Sequence, residues 1–235
     1  MSKIMKIGII GLGLIGGSIA LKLKEVNNKI VIYGFDQNTD SLDYSLKNNI
    51  IDKRFNPDSL IGFDYIFLAI PVESIKKQLK IILDKISKET LVIDLGSTKY
   101  QICNSVKTHN NRGNFLASHP IAGTEFSGPI AARKDLFNNK VMILCETENT
   151  NSSLLLSAIE IFKKLGMNIK TMGSLEHDKH IAYVSHLSHI SSFMLGKTVM
   201  DKEDDEQTIY DMAGSGFEST VRLAKSSPEM WSSIF

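Results

Sequence analysis

With 235 residues, 43% of them hydrophobic and 23% charged, the chain has globular proportions and the length for one complete domain and a smaller one. Its 27 basic and 26 acidic side chains leave a formal net charge of +1, so no overall field exists to hold a polyanion, and nucleic acid is not expected as a partner. Cys103 and Cys145 lie far apart without metal-ligand spacing, which argues against a disulfide framework or a thiolate zinc site and fits a reducing cytoplasm.

The first strand is predicted over residues 5–10, mostly β-branched and apolar, followed by Gly11, Gly13, Gly16 and Gly17 and an apolar-periodic helix to Lys24. Lys3 and Lys6 ahead of this stretch mimic a signal peptide, but the glycine spacing and the closing Lys22 and Lys24 argue otherwise. No apolar run reaches the roughly 18 residues of a membrane span, so no membrane association is expected. A second strand over residues 30–35 ends in Asp36, and a helix follows near residues 41–47. YIFLAI at 65–70 and LVIDL at 91–95 are continuous apolar strands, separated by a helical pattern at 72–86. Further strands are predicted at 115–118, 141–145 and 168–171, with a helix at 152–165. Buried strands alternating with helices predict a parallel sheet covered on both faces.

After Gly173 the pattern becomes helical, over residues 175–200, with a charged break at 201–206 and a second helical region beyond. Hence the expected architecture is α/β, a doubly wound nucleotide-binding domain at residues 1–173 followed by an all-α domain at 174–235. The sequence stops within a helical pattern, so the second domain is expected to be incomplete.

Gly11-Leu12-Gly13-Leu14-Ile15-Gly16 is a G-x-G-x-x-G motif. Alone it says little, but here it follows a strand and opens a helix, and Asp36 ends the next strand twenty residues beyond Gly16. This is the Rossmann dinucleotide signature. Gly11 permits the tight turn, Gly13 lets backbone approach a pyrophosphate, and Gly16 lets the helix pack on the sheet. Leu14 and Ile15 open the helix whose unpaired N–H groups face the phosphates. Asp36 can accept both ribose hydroxyls and would repel a 2′-phosphate, so NAD is expected over NADP.

Two loops follow strand ends at the edge where ligands of open α/β sheets bind. DLGSTK, residues 94–99, brings Ser97 toward the cofactor; in SHPIAGTE, residues 118–125, Pro120 biases His119 away from helical angles. A neutral imidazole, with an unperturbed pKa of ~6.5, suits removal of a hydroxyl proton as hydride leaves carbon; a structural histidine bonded to backbone is the plainer alternative. His177, His180, His186 and His189 share one helical pattern, but no acidic or cysteine cluster completes a metal site, and His177 and His180 are expected on the surface or in packing. Ser185 and His189, four apart, share a helix face.

Several segments together resemble the prephenate dehydrogenases of tyrosine biosynthesis: GLGLIGGSIA at the start, DLGSTK, SHPIAGTEFSGPIAARKDLF at 118–137, VSHLSH at 184–189, where Ser188 replaces a more usual proline, and GSGFESTVRLAKSSPEMW at 214–231. The matches run in order along almost the whole chain. By position the resemblance implies that His119 is the catalytic histidine, Ser97 its hydrogen-bonding helper, and Glu125, Ser185 and His189 lining of the substrate pocket. It further implies that Arg222 pairs with a substrate carboxylate near Trp231; Arg133 is the next candidate for that carboxylate. The implied activity is NAD-dependent oxidative decarboxylation of prephenate to 4-hydroxyphenylpyruvate, by a homodimer formed through the helical domain. Arogenate dehydrogenase and a non-catalytic NAD sensor are the alternatives, and tyrosine feedback stays open. With the first strand beginning by Met5, no chorismate mutase region is expected ahead of it, and no C-terminal regulatory domain is evident.

Overall fold

The computed structural model describes residues 4–124, 126–206 and 210–225. Contacts divide the chain into two compact units, Met1–His177 and Asp178–Phe235.

In the first unit strands β1 (Met5–Ile10), β2 (Ile30–Phe35), β3 (Lys53–Arg54), β4 (Tyr65–Leu68), β5 (Leu91–Asp94), β6 (Phe115–Ile121), β7 (Val141–Cys145) and β8 (Asn168–Met172) form one sheet in the order β3-β2-β1-β4-β5-β6-β7-β8. Helices α1 (Leu14–Val26), α2 (Thr39–Lys47), α3 (Val72–Lys85), α4 (Tyr100–Ser105) and α5 (Ser152–Lys164) connect them. Every residue of β4 and β5 is buried. Such runs are apolar throughout because both faces of a central parallel strand are covered. Successive residues feed opposite cores: Ile7, Ile9, Phe67 and Ile93 join α1 and α5 on one side, and Ile10, Ile66, Leu68 and Val92 join α3 and α4 on the other. Full burial of each such side chain contributes roughly 1.5–3 kcal/mol.

The expectation of a parallel sheet needs one correction. Strands β1 to β6 are parallel to their neighbours, but β7 runs antiparallel to β6, and β8 parallel to β7. Among the described residues of 122–140 the helical structure is a short 3₁₀ turn, Pro129–Ala131. Without a crossover helix to carry the chain back, the next strand returns antiparallel. The order from β3 to β6 is that of the doubly wound dinucleotide fold, whose strand connections reverse direction between β1 and β4.

Strand β6 is also longer than the sequence suggested and contains Pro120. Strand β5 pairs with it only as far as Asp94↔Ala117, after which β6 pairs with β7 alone, His119 opposite Ile143 and Pro120 opposite Met142. There β6 is a sheet edge, where a residue without an N–H is tolerated.

Helix α6 (Ser174–Ile181) crosses the boundary between the units, and a π-helical turn, Ala182–His186, leads into α7 (Leu187–Glu206). Residues 201–206 are therefore helical rather than a break. Lys202, Glu203 and Glu206 are good helix formers, and Lys197 pairs with Asp201 one turn on, at 2.8 Å. Helix α8 (Ser215–Val221) and a 3₁₀ turn, Arg222–Lys225, follow. No helix among the described residues is long and apolar enough to cross a membrane.

Candidate active site

The loop after β1 is built from backbone. Gly11 has φ +94°, and a Cβ on it would lie 2.3 Å from the Ala69 carbonyl oxygen. One on Gly16 would lie 2.0 Å from the Gly11 carbonyl oxygen. Both positions exclude any side chain for internal reasons. Gly13 differs, since a Cβ there would meet nothing within 4 Å. No neighbouring atom excludes a side chain at Gly13, the N-cap of α1, and the space beside it is what a close-lying ligand would fill. Helix α1 has no side-chain cap and no acidic residue in its first turn. Its first intrahelical bond runs from Gly17 N–H to Gly13 O, at 2.9 Å, so the N–H groups of Leu14, Ile15 and Gly16 precede the ladder. The side chains of Leu14 and Ile15 pack on the core, which leaves their backbone as what they offer a ligand.

Asp36 follows β2, and both its oxygens are held: Leu12 N–H donates to Oδ2 at 2.7 Å and Asn38 N–H to Oδ1 at 2.9 Å. A carboxylate so fixed keeps lone pairs for further donors. Glycine loop, uncapped helix start and anchored carboxylate fit a dinucleotide, with the pyrophosphate at the helix and a ribose at Asp36.

The edge formed by β5 and β6 is built from side chains. Asp94 and Lys99 are both fully buried and form an ion pair. Gly96 N–H donates to Asp94 Oδ1 at 2.6 Å, and Lys99 Nζ donates to the Ser118 carbonyl at 2.8 Å. The Ser118 hydroxyl in turn donates to the Asp94 carbonyl at 2.6 Å. The turn carrying half-buried Ser97 is thereby clamped at both ends and stitched to the residue preceding His119. Burial pushes the Asp94 carboxyl above its ordinary range, opposed by the Lys99 ammonium, the Gly96 N–H and His177.

His119 stands on the free-edge stretch of β6, half-buried. Its Nδ1 lies 2.9 Å from Nε2 of His177, with the rings edge-on at 5.1 Å. His177 is 1% exposed and sits in the first turns of α6, whose start is fixed by a hydrogen bond from the Ser174 hydroxyl to the Glu146 carboxylate. His177 is buried as a packing residue would be, but it also bonds to the ring of His119, which helical spacing did not disclose. His180 is exposed.

Beyond His119, Glu125 lies outside the described residues. Arg133 donates its backbone N–H to the Ser18 hydroxyl of α1 at 2.9 Å, while its guanidinium makes two bonds to Asp135, at 2.5 and 2.6 Å. This residue is committed to a neighbour.

Within the second unit, Ser185 and His189 do share a helix face, and His189 Nδ1 lies 3.0 Å from the Ser185 carbonyl oxygen. A carbonyl only accepts, so this nitrogen bears hydrogen. His186 is buried and closes the π-helical turn, a feature found often at functional sites. Arg222 is exposed at the turn after α8. That turn rests on α7 at Gly196, where a Cβ would meet Ala224 Cβ at 3.7 Å. Trp231 lies outside the described residues. Thus Gly11, Gly13, Gly16, Asp36, Ser97 and His119 belong to one unit, and Ser185, His189 and Arg222 to the other.

Residues 19–171 match the family model for the prephenate dehydrogenase nucleotide-binding domain, and residues 173–235 that for the prephenate dehydrogenase dimerization domain. The chain belongs to the prephenate dehydrogenase family. It is 32% identical over 230 residues to the prephenate dehydrogenase of Bacillus subtilis (strain 168), covering 95% of this chain and 62% of that protein. It therefore spans about three fifths of that relative's length. The crystal structure of prephenate dehydrogenase from Aquifex aeolicus in complex with hydroxyphenyl propionate and NAD+ superposes with a TM-score of 0.88 at 31% identity, covering 100% of this chain and 82% of that one. Synechocystis arogenate dehydrogenase superposes with a TM-score of 0.77 at 28% identity, covering 98% and 82%.

Sequence reasoning missed two members of this site. Lys99 closes the DLGSTK segment, but a lysine reads as a surface residue until its partner Asp94 is seen buried beside it. His177 is 58 residues from His119, and no local pattern marks so distant a contact.

Proposed function

We propose that the chain is an NAD-dependent prephenate dehydrogenase. The observation that carries this reading is His119 standing beyond the end of β5, on the same strand-end edge of the sheet as the glycine loop. The loops after β1, β4 and β5 and the free end of β6 are neighbours at the C-terminal edge of parallel strands, where doubly wound folds bind ligand. Backbone N–H groups of Leu14, Ile15 and Gly16 would hold the pyrophosphate, and Asp36 the ribose, with NAD preferred because a 2′-phosphate there would face a carboxylate. NAD+ would supply the hydride acceptor for the carbon bearing the ring hydroxyl.

The residues' work is then to orient that carbon and manage one proton. His119 takes the hydroxyl proton as the carbon becomes a carbonyl, and Ser97 supplies a second hydrogen bond at the same oxygen. Loss of the ring carboxylate as carbon dioxide sends the C–C electron pair into the ring; the oxygen becomes a phenolate and regains a proton, giving 4-hydroxyphenylpyruvate. Aromatisation drives this step, so positioning is the main demand on the protein. By family resemblance Glu125, Ser185, His189 and Trp231 are assigned to substrate binding, and Arg222 to a substrate carboxylate, for which a guanidinium offers two parallel bonds. The hydroxyphenyl ligand of the Aquifex aeolicus relative supports the substrate class.

The domain division at 173/174, the cytoplasmic location and the homodimer belong to the same proposal. Exposed Tyr183, Leu187, Ile190 and Met194 on the second unit give a dimer an apolar surface to cover. Arogenate is the second substrate to weigh, supported by the Synechocystis relative. Purified protein is to be assayed for NADH formation with prephenate and with arogenate, each with NAD+ and NADP+. The reading requires turnover, fastest with prephenate and NAD+. No turnover of either substrate would overturn it in favour of a nucleotide sensor.

A further inference from the structure

We propose that His177 is a positioning residue that fixes the ring and the tautomer of His119; the role in turnover rests on the functional reading above. A neutral imidazole has one N–H and one lone pair, so the 2.9 Å contact between His119 Nδ1 and His177 Nε2 carries one hydrogen and has two possible senses. With His119 donating, its Nε2 keeps the lone pair and is a base. With His177 donating, His119 Nε2 bears hydrogen and cannot take a proton.

The acid–base role selects between the two. Once His119 has accepted the hydroxyl proton both its nitrogens are donors, so His177 must then be the acceptor. Only the sense in which His119 Nδ1–H already donates to His177 Nε2 survives proton uptake with no rearrangement of either ring, which is the preorganisation that lowers a barrier. His177 accordingly holds its own hydrogen on Nδ1.

The surroundings suit such a fixed acceptor. His119 lies on the stretch of β6 that pairs with β7 and no longer with β5. His177 is 1% exposed, and its backbone N–H is bonded to the Gly173 carbonyl at 2.9 Å. The helix start is tied to Glu146 through Ser174. A buried imidazole with its nitrogen aimed at a second imidazole costs desolvation that an apolar residue of the same volume would avoid. The Asp94 carboxyl is close enough to His177 for an electrostatic interaction between them.

The test begins with the unmodified protein. Nitrogen-15 NMR of histidine-labelled protein should find His119 with hydrogen on Nδ1 at pH values where it is neutral; hydrogen on Nε2 instead would overturn the proposal without any variant. His177→Leu, with NAD affinity as the check on folding, should return His119 to a mixture of tautomers. It should lower kcat about 10- to 100-fold, the loss of one hydrogen bond to a charged group, with KM for prephenate little changed. His177→Gln, whose amide oxygen can accept in place of Nε2, should recover most of the rate. An unchanged tautomer in His177→Leu, or equal losses in the Leu and Gln variants, would contradict the positioning role. If the parent turned over neither prephenate nor arogenate, the functional reading would fall, while the tautomer measurement would still decide the dyad.

Discussion

Two stretches of one sheet edge are made in different ways. After β1 the edge is shaped by what is missing, with Gly11 and Gly16 tolerating no Cβ and the N–H groups of the first turn of α1 preceding its ladder. After β5 and along β6 the edge is shaped by what is present, an enclosed Asp94–Lys99 pair, two bonds through Ser118, and the ring of His177 against His119. In the proposed function the first arrangement offers its backbone groups to a pyrophosphate. The second holds one imidazole at one orientation. In the proposed function, binding relies on backbone and reactivity on buried side chains.

If that contrast is correct, the largest single effect should come from the buried pair. Lys99→Met leaves the Asp94 carboxyl enclosed without its cation, a change that typically costs 3–5 kcal/mol. Chemical denaturation should find a loss of about that size, and the double variant Asp94→Asn/Lys99→Met should be less damaged than the sum of the two single ones. Additive losses would mean that the pair is not a coupled clamp.

The glycine loop makes a sharper internal comparison. Gly16→Ala forces a methyl against the Gly11 carbonyl oxygen and should cost about 1–3 kcal/mol of stability through overpacking, along with NAD affinity. Gly13→Ala places its methyl in open space, so stability should fall by no more than the loss of a preferred N-cap residue, about 1 kcal/mol, while NAD affinity still falls. Equal behaviour of the two variants in a thermal melt would erase the distinction between a glycine required by the fold and one required by a ligand.

This difference also decides how much was legible beforehand. The strands at 5–10, 30–35 and 141–145 were readable to the residue, because β-branched runs bounded by turn residues have few other uses. The glycine loop after β1 was readable because backbone demands translate into glycine, and glycine is visible in a sequence. Neither the length of β6 nor the reversal of β7 was, since both depend on where β5 ends and on the missing crossover. Likewise, the partners of Lys99 and His119 are contacts of the folded sheet and not of any local pattern. The strand-end loops pointed to Ser97 near the cofactor and His119 as a base, and the resemblance to a family added Ser97 as the helper of His119; neither supplied His177.

Smaller effects should follow at the periphery of both stretches. Asp36→Ser removes the proposed acceptor of the ribose hydroxyls and should weaken NAD about 10-fold or somewhat more, in the range of one or two hydrogen bonds to a charged group. NADP should lose far less, and titration with each cofactor checks this. Cys103, under the same core as β5, is pushed up to about 12 by burial, from an ordinary 9.0. At neutral pH it should resist alkylation in the native state and react once the chain is unfolded. Between those two values the unfolded thiol has lost a proton that the folded one keeps, so this group lowers stability as pH rises from about 9 toward 12. Replacement by Ala should flatten that part of a stability profile.

The central claim is that nucleotide binding and proton removal reside in separate parts of the edge. Paired measurement of NAD affinity and of turnover in His119→Asn tests it most directly. The account predicts NAD affinity within about 2-fold of the parent, as expected for a residue outside the nucleotide-holding set, together with a loss of turnover of roughly 10²- to 10⁴-fold, the usual contribution of a positioned base. A variant that kept most of its turnover, or lost its affinity for NAD along with it, would contradict the account.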